Sequence, residues 1–247
     1  MSNTLIFAHR GANKEAAENT RSAFDKALQY PIDGIETDVQ LSRDEIAVLW
    51  HDRFLGKLGH PLKHIDDYDH HELQAMNFAA HFSDHAKPEG IMSLKEFLDA
   101  YRKRCRLLIE IKNREWESVS RHQIKVRQTL DLVGTADGDA IMASSFDLDS
   151  LVYAQHYRPG FPLVYNFETE QTYADAQRVL AEQSFLYGLC LPIKSLAENI
   201  VRLLRDHGKY IAVYTCNSDA EINKALQLGV DILISDVPQK ALQIRDR

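Results

Sequence analysis

From residue 5 onward, the chain alternates between short aliphatic or β-branched runs and longer amphipathic segments. This alternation is typical of a parallel sheet covered by helices, because two parallel strands must be joined by a crossover long enough to hold a helix. It predicts an α/β fold. The strand candidates are residues 5–9, 35–39, 46–51, 107–111, 140–144, 163–167, 186–191, 211–215 and 232–235.

The segments between these strands carry helix start and stop signals. A serine followed three residues later by glutamate indicates a capping box, and a glycine after an amphipathic segment indicates a helix end. We predict helix starts at Ser93, Ser195 and Ser218, and helix ends at Gly134, Gly208 and Gly229.

One pair of strand candidates is too close for a helical crossover. Six residues separate Val39 from Ile46, so the third candidate must turn back antiparallel on the second. A turn centred on Arg43-Asp44 would place His51 opposite Glu36.

The other eight strands match the count of a TIM barrel. Although 247 residues would also suffice for two small domains, we predict a single barrel domain over residues 1–247. Residues from about 54 to 90 fit the alternation poorly and are interpreted as a small insertion after the second-strand hairpin.

Composition excludes few functions. The 29 Lys and Arg against 36 Asp and Glu give a net charge of −7 without a basic run, which disfavours nucleic acid as a partner. No signal-peptide pattern starts the chain, and no run of 18 apolar residues suggests a membrane span. The three cysteines form no paired motif, so we expect a cytoplasmic protein without disulfides.

Carboxylates gather at the ends of two predicted strands. Glu36 and Asp38 share one strand face, as do Glu110 and Lys112. Charged groups inside a barrel need neutralisation, and carboxylate oxygens suit Mg²⁺, Ca²⁺ or Mn²⁺ better than Zn²⁺. We therefore predict that Glu36, Asp38 and Glu110 hold one divalent cation. The alternative is that these carboxylates form internal ion pairs with Lys112 and Arg10.

His9 and His51 each end a predicted strand, near the predicted cation site. Two histidines can serve displacement at phosphorus, one taking a proton from the attacking oxygen and the other giving one to the leaving oxygen. Arg10 and Lys112 would offset charge on the phosphoryl oxygens. The histidines of the insertion are interpreted instead as a solvated face: His60, His64, His70, His71, His81 and His85.

Motifs along the whole chain resemble those of one known family, the glycerophosphodiester phosphodiesterases. The motifs are His9-Arg10-Gly11, Glu18-Asn19-Thr20, the run from Gly34 to Asp44, His51-Asp52, Ile109-Glu110-Ile111-Lys112, Ser144-Ser145-Phe146, Val213-Tyr214-Thr215-Cys216-Asn217, and Gly229-Val230-Asp231 leading to Ser235-Asp236.

The resemblance implies a TIM barrel that uses Mg²⁺ or Ca²⁺ to hydrolyse glycerophosphodiesters to sn-glycerol 3-phosphate and an alcohol, with the glycerol hydroxyl beside the phosphate attacking first. It places the acid and base on His9 and His51. The metal ligands fall on Glu36, Asp38 and Glu110, and the phosphate contacts on Arg10 and Lys112. We also expect Ser145, Phe146 and Tyr214 in the pocket.

Three functions stay open from the sequence. The first is hydrolysis of small-molecule glycerophosphodiesters such as glycerophosphocholine or glycerophosphoethanolamine. The second is a lysophospholipase D-type reaction on lysophospholipids, which would need an apolar groove, and no basic amphipathic helix supports it. The third is a catalytically inactive barrel that acts as a binding protein, since barrels host many functions. The presence of every acid, base and ligand candidate disfavours the third.

Overall fold

The computed structural model describes residues 4–83, 86–135, 138 and 140–247. His85 and the first three residues of the N-terminal segment lie outside this range. The strands are β1 (Leu5–His9), β2 (Gly34–Leu41), β3 (Ala47–Leu49), β4 (Arg106–Ile111), β5 (Ile141–Ser145), β6 (Leu163–Asn166), β7 (Gly188–Pro192), β8 (Tyr210–Tyr214) and β9 (Ile232–Ser235).

Helices follow the strands in the alternation that the sequence predicts. They are α1 (Arg21–Ala27), α2 (His70–Ala75), α3 (Leu94–Tyr101), α4 (Val119–Val133), α5 (Leu148–Tyr157), α6 (Tyr173–Glu182), α7 (Glu198–Asp206), α8 (Asp219–Gln227) and α9 (Pro238–Arg245). Within the described residues, no helix combines the length and apolar character needed to cross a membrane.

Eight parallel strands close into a barrel. Their order around the ring is β1, β2, β4, β5, β6, β7, β8 and β9, and β9 pairs with β1 to complete it. The antiparallel β3 lies outside the ring against β2. The predicted TIM barrel, including the hairpin on its second strand, is confirmed.

The predicted register of this hairpin is wrong by one residue. Val39 lies opposite Leu49 and Leu41 opposite Ala47, so the pairing does not bring His51 opposite Glu36. The connection has three residues, 43–45, and its last residue, Glu45, has a left-handed φ of 63°. A three-residue loop ending in a left-handed residue is a regular hairpin connection, but glycine usually marks that position in a sequence.

Two capping predictions are confirmed and one is wrong. The Ser93 and Ser218 side chains accept hydrogen bonds from the backbone N–H groups of Glu96 and Glu221. Ser195 begins no helix, because its own N–H donates to the Pro192 carbonyl in a turn and α7 starts three residues later. Gly134, Gly208 and Gly229 stand at or just after helix ends with positive φ, as predicted.

Apolar side chains divide the barrel into an outer and an inner core. Alternate strand residues such as Ile35 and Val39 pack outward in the large cluster between sheet and helices. The opposite strand face fills the barrel interior with a smaller cluster that includes Phe7, Leu108 and Ile234. Polar residues that follow on this inner face at the strand ends therefore stand above an apolar floor.

The segment between β3 and α3 packs on a cluster of its own. It contains two short 3₁₀ helices, Gly56–Leu58 and Ile65–Asp67, as well as α2. Trp50 and Leu55 are buried there with Ile65, Leu73 and Phe78. This packing holds residues 51–57 beside the carboxyl ends of the barrel strands.

Candidate active site

Most of the predicted site residues meet at the carboxyl end of the barrel. Eight of the ten line one cavity of about 160 Å³, and a ninth, Asp38, is fully buried against them. The eight are His9, Arg10, Glu36, His51, Glu110, Lys112, Phe146 and Tyr214.

Three carboxylates converge as the strand alternation predicts. One oxygen each of Glu36, Asp38 and Glu110 lies within 4.8 Å of the other two, and all three residues are buried. Two of these acids lie at the same height along the barrel axis, because Asp38 of β2 pairs in register with Glu110 of the neighbouring β4. The spacing and the all-oxygen donor set are compatible with a hard divalent cation.

The internal ion pairs foreseen as the alternative are also present. Asp38 lies 3.1 Å from both the Arg10 Nε and the Lys112 Nζ, and Lys112 lies 2.5 Å from Glu110 Oε1. Burial of Asp38 opposes its ionisation, but Lys112 and Arg10 outweigh burial and hold its pKa far below the usual range.

Glu36 differs from the other two carboxylates. Among the described residues, its buried Oε2 has no hydrogen-bond partner and forms no ion pair with a lysine or arginine, unlike Asp38 and Glu110, and the His9 Nε2 lies 3.8 Å away. Burial raises its pKa well above the ordinary value, and Asp38 adds to this effect. When all three carboxylates are ionised, the two cationic side chains leave one negative charge without compensation beside this oxygen, and a bound divalent cation would neutralise that charge.

His9 is oriented by a carboxylate from the far end of the chain. Its Nδ1 lies 2.6 Å from Asp236 Oδ1. Burial opposes ionisation of Asp236, yet the bonds from His9 and Asn13 hold its pKa far below the usual range. An ionised carboxylate only accepts hydrogen bonds, so His9 Nδ1–H donates and Nε2 stays free as a base.

His51 has an equivalent partner in the next residue. Its Nδ1 lies 2.9 Å from Asp52 Oδ1. Although burial opposes ionisation, hydrogen bonds from His51 and Lys57 lower the pKa of Asp52 to about 2. The Lys57 ammonium bridges Asp52 and Glu18 at 3.0 and 2.8 Å. The second histidine therefore also presents Nε2 to the cavity.

His51 reaches the site by a route that the hairpin prediction did not foresee. The strand ends at Leu49, and the Trp50 side chain packs in the small cluster. The Gln40 side-chain amide donates to the carbonyls of Trp50 and Asp52, which fixes the departing chain over the barrel. Arg114 also donates to the His51 carbonyl.

The backbone after β1 explains the His-Arg-Gly motif. Arg10 has a left-handed φ of 56°, which turns its guanidinium back toward Asp38, and Gly11 follows with a φ of 82°. A Cβ on Gly11 would lie 2.6 Å from the Ala23 backbone. Only glycine fits this close approach between the loop and α1.

Two of the three predicted pocket residues line the cavity. The Phe146 and Tyr214 rings meet edge to face at 6.0 Å, and the Lys112 ammonium lies 5.6 Å from the Phe146 ring centroid. Ser145 instead lines the adjoining cavity of about 340 Å³, so its role in the pocket stays a prediction. Its hydroxyl donates to the Ile111 carbonyl at 2.8 Å, because Ser145 continues the outward face of β5.

The site contains residues for which the sequence predicts no role. Asp236 is one of them, although its position directly after β9 is a signal in a barrel. Ser144 and Asn166 also line the cavity, at the ends of β5 and β6. Strand alternation could have identified them, because each follows an inward residue by two positions.

The insertion histidines are not all solvated. His60 and His71 are exposed, as interpreted, and His70 and His81 are partly buried. For His64 the interpretation is wrong, since its ring stacks between Phe54 and Trp116 with centroid distances of 4.8 and 4.2 Å.

Comparison with known proteins gives a consistent result. A family model described as "Glycerophosphoryl diester phosphodiesterase family" matches residues 9–240. A glycerophosphodiester phosphodiesterase of Bacillus altitudinis is 29% identical over 255 residues, covering 98% of this chain and 98% of the relative. A protein of the same name from Bacillus subtilis is 26% identical and covers 95% and 84%.

Solved structures share the fold over the same length. A phosphodiesterase of Oleispira antarctica, solved with the product sn-glycerol-3-phosphate, has a TM-score of 0.87 at 25% identity and covers 98% of this chain and 97% of its own. A glycerophosphodiester phosphodiesterase of Thermotoga maritima has a TM-score of 0.78 at 26% identity, covering 98% of each chain.

Proposed function

Because this chain belongs to the glycerophosphoryl diester phosphodiesterase family, we propose that it hydrolyses glycerophosphodiesters such as glycerophosphocholine to sn-glycerol 3-phosphate and an alcohol. Water is consumed, the bond between phosphorus and the alcohol oxygen breaks, and the alcohol leaves with a proton. The observation that carries the proposal is the convergence of two histidines, two cationic side chains and three carboxylates on one cavity.

The cationic side chains would bind the phosphate. Lys112 is buried at the cavity wall, and Arg10 is held beside it by Asp38. Burial opposes the charge of each, but the surrounding carboxylates raise the pKa of both above the ordinary values, so both stay protonated. Fixed charges of this kind stabilise negative charge on the phosphoryl oxygens in the transition state without reorganising.

We assign the base to His9 and the acid to His51. The His9 side chain is only 15% exposed and lies deeper, whereas the His51 side chain is 32% exposed and also lines both neighbouring outer cavities. The departing alcohol must leave on the open side, so its oxygen would pass His51. Both rings hold Nε2 free for proton transfer.

Glu36, Asp38 and Glu110 would hold one divalent cation, Mg²⁺ or Ca²⁺, with Mn²⁺ as a third candidate. When bound, such a cation neutralises charge on phosphoryl oxygens. Asp38 also lies 3.1 Å from Arg10 and from Lys112, so the proposed cation ligands and the phosphate-binding side chains belong to one network.

A coupled assay for glycerol 3-phosphate tests the proposal. We expect release from glycerophosphocholine with Mg²⁺, Ca²⁺ or Mn²⁺, its loss in EDTA, and its return when the cation is restored. The matched variant Glu36→Gln should lose turnover while it stays folded. Absence of glycerol 3-phosphate with every cation would contradict the proposal and favour the inactive barrel. A cytoplasmic location stays a prediction from the sequence.

A further inference from the structure

An outer cavity of about 340 Å³ lies behind His51 and is called the exit cavity here. Of the residues that line the central cavity, His51 alone also lines the exit cavity. The second outer cavity shares a larger set with the central one and therefore continues it: His51, Glu110, Lys112, Phe146 and Tyr214. Because the alcohol is proposed to leave past His51, the exit cavity is the space that would hold it.

The exit cavity is cationic, although the chain as a whole is acidic. Its basic side chains are those of Arg53, Lys57 and Arg114. Among the described residues, Asp52 is the one carboxylate that lines it. Two of the three cations already have a carboxylate partner, since Arg53 pairs with the exposed Glu115, and Lys57 lies 3.0 Å from Asp52. The charge available to a ligand is therefore that of the third cation.

This third cation, Arg114, is half-buried and has no counter-ion. Among the described residues, its guanidinium forms no ion pair with a carboxylate, its Nε is buried without a hydrogen-bond partner, and Nη2 donates to the His51 carbonyl. Burial lowers the pKa of Arg114 and outweighs the more distant carboxylates, of which Glu110 contributes most. An arginine nevertheless keeps its proton at neutral pH. A half-buried charge of this kind calls for an anion.

The loop after β4 holds Arg114 at the cavity wall. Its backbone N–H donates to a Glu117 carboxylate oxygen at 2.9 Å, and its carbonyl accepts from the His122 Nε2 at 3.0 Å. The single side-chain bond to His51 leaves most N–H groups of the guanidinium unused. A guanidinium can bind a carboxylate or a phosphate through two parallel N–H···O bonds, so the matching ligand is a planar or tetrahedral oxyanion.

We propose that Arg114 binds an anionic group, a carboxylate or a phosphate, on the leaving alcohol, and that glycerophosphodiesters of acidic alcohols are therefore the preferred substrates. The inference rests on the proposed function, which places the leaving oxygen at His51. Arg53 and Lys57 on the same wall would add to the attraction. An ammonium group on the alcohol would instead face three cations.

Two matched pairs of substrates test the inference through the release of glycerol 3-phosphate. Glycerophosphoserine and glycerophosphoethanolamine differ by one carboxylate on the alcohol. The glycerophosphodiesters of ethylene glycol monophosphate and of ethylene glycol differ by one phosphate. For the wild-type protein with saturating cation, we expect kcat/KM to be at least about tenfold higher for the acidic member of a pair.

Variants separate binding of the anion from a structural role. Arg114→Met removes the charge and should bring the ratio of kcat/KM for the two members of a pair close to one, whereas Arg114→Lys keeps the charge and should retain part of the preference. Arg114 also donates to the His51 carbonyl, but loss of that bond alone would lower both rates together and preserve the ratio.

Arg121→Met is the matched control. Arg121 also donates to main-chain carbonyls, those of Leu41 and Ser42, and it lines neither the central cavity nor the two outer ones. We expect this variant to leave the ratio unchanged. A fall in the ratio as large as that of Arg114→Met would contradict a direct contact between Arg114 and the anion.

The outcomes distinguish the two proposals. If the wild-type protein cleaves both members of each pair equally well, or the members without the extra anion faster, this inference is overturned and the proposed function stands. Preserved ratios in Arg114→Met also overturn it. A preference in one pair alone supports it and identifies the anion that is bound. If no diester releases glycerol 3-phosphate with any cation, both proposals fail. The wild-type ratios can overturn the inference even if Arg114→Met does not fold.

Discussion

At the scale of single residues, the two histidines have the same kind of hydrogen-bond partner but differ in how deeply they are buried. Each has an ionised aspartate at Nδ1, so each offers Nε2 to the cavity. His9 is the more enclosed, and burial lowers its pKa despite the bond to Asp236. A neutral His9 at pH 7 is the state that a base requires, whereas His51 stands at the exit.

A substrate with a good leaving group should separate their roles. In the p-nitrophenyl ester of glycerol 3-phosphate, the leaving oxygen needs no proton from an acid. We expect His51→Ala to retain most of its activity on this ester but to lose at least about 100-fold on glycerophosphocholine, and His9→Ala to lose both. Steady-state kinetics of the two variants with both substrates provide the measurement. Equal losses for His51→Ala on the two substrates would contradict its assignment as acid.

The site residues differ in how well the sequence could predict them. Charged residues between β-branched ones, such as Glu36 and Asp38, stand out, because strand alternation fixes their common face. Ser144 and Ser145 do not stand out, because they are identical residues next to each other at a strand end. Only the exact alternation of the strand decides which of them faces the cavity. The partnership of His9 and Asp236 joins residues 227 positions apart, which no local pattern reveals.

At the scale of elements, strands were predictable and their connections were not. Short aliphatic or β-branched runs identify every strand within a few positions, because both faces of a barrel strand are buried. The predicted register of the hairpin is off by one residue, because glutamate at position 45 does not indicate a left-handed conformation. Ser195 matches the capping pattern, but its N–H donates to the Pro192 carbonyl in a turn, and α7 begins only at Glu198.

The hairpin loop should be stabilised by a glycine. Glu45 is exposed and has a φ of 63°, which is unfavourable for a residue with a Cβ. Glu45→Gly keeps the backbone carbonyl that accepts from Gln128, and we expect it to raise the free energy of unfolding by up to about 1 kcal/mol. Glu45→Ala is the control and should give no gain. Urea unfolding of both variants and of the wild-type protein is the measurement. If Glu45→Gly were no more stable than the wild-type protein, this would contradict backbone strain at Glu45.

A buried lysine of α4 should make stability depend on alkaline pH. Lys125 is fully buried and bonds to Glu117 at 2.8 Å and to the Lys112 carbonyl. Burial outweighs the attraction of Glu117 and lowers its pKa from 10.5 to about 8. Between these values the unfolded chain binds more protons than the folded one, so this residue makes stability rise with pH.

Lys125→Met removes that contribution. Relative to the variant, the wild-type protein should gain free energy of unfolding as pH rises from about 8 to 10.5. Chemical unfolding at several pH values in this window gives the difference, in which the titration of other groups cancels. A difference that is constant with pH would show that Lys125 keeps its proton.

At the scale of the whole molecule, net charge is a poor guide to the ligand. A chain of charge −7 would be expected to repel anionic phosphodiesters. The carboxylates of the cavity instead fix Arg10 and Lys112 in place, and with Glu36 ionised they leave one negative charge in excess for a cation. The local distribution of charge around the cavity decides what binds, and strand alternation makes this distribution foreseeable from the sequence.

Cation binding should stabilise the whole fold. The three carboxylates come together only in the folded barrel, so a divalent cation binds the folded state alone. At a concentration of 100 times Kd, this adds about 2.7 kcal/mol and raises Tm. Thermal unfolding with Mg²⁺, Ca²⁺ and Mn²⁺ against EDTA is the measurement. Glu36→Gln should show a much smaller shift, and an unshifted Tm in the wild-type protein would contradict the site.

The pairing of β9 with β1 has a consequence for the folding order. It joins the first and last strands of the ring, and it also brings Asp236 to His9. These contacts have the greatest sequence separation in the barrel, and contacts of this kind form late because the largest loop must close first. Activity should therefore return no earlier than the final step of refolding, and a nascent chain acquires its complete acid–base pair only after its last strand has emerged.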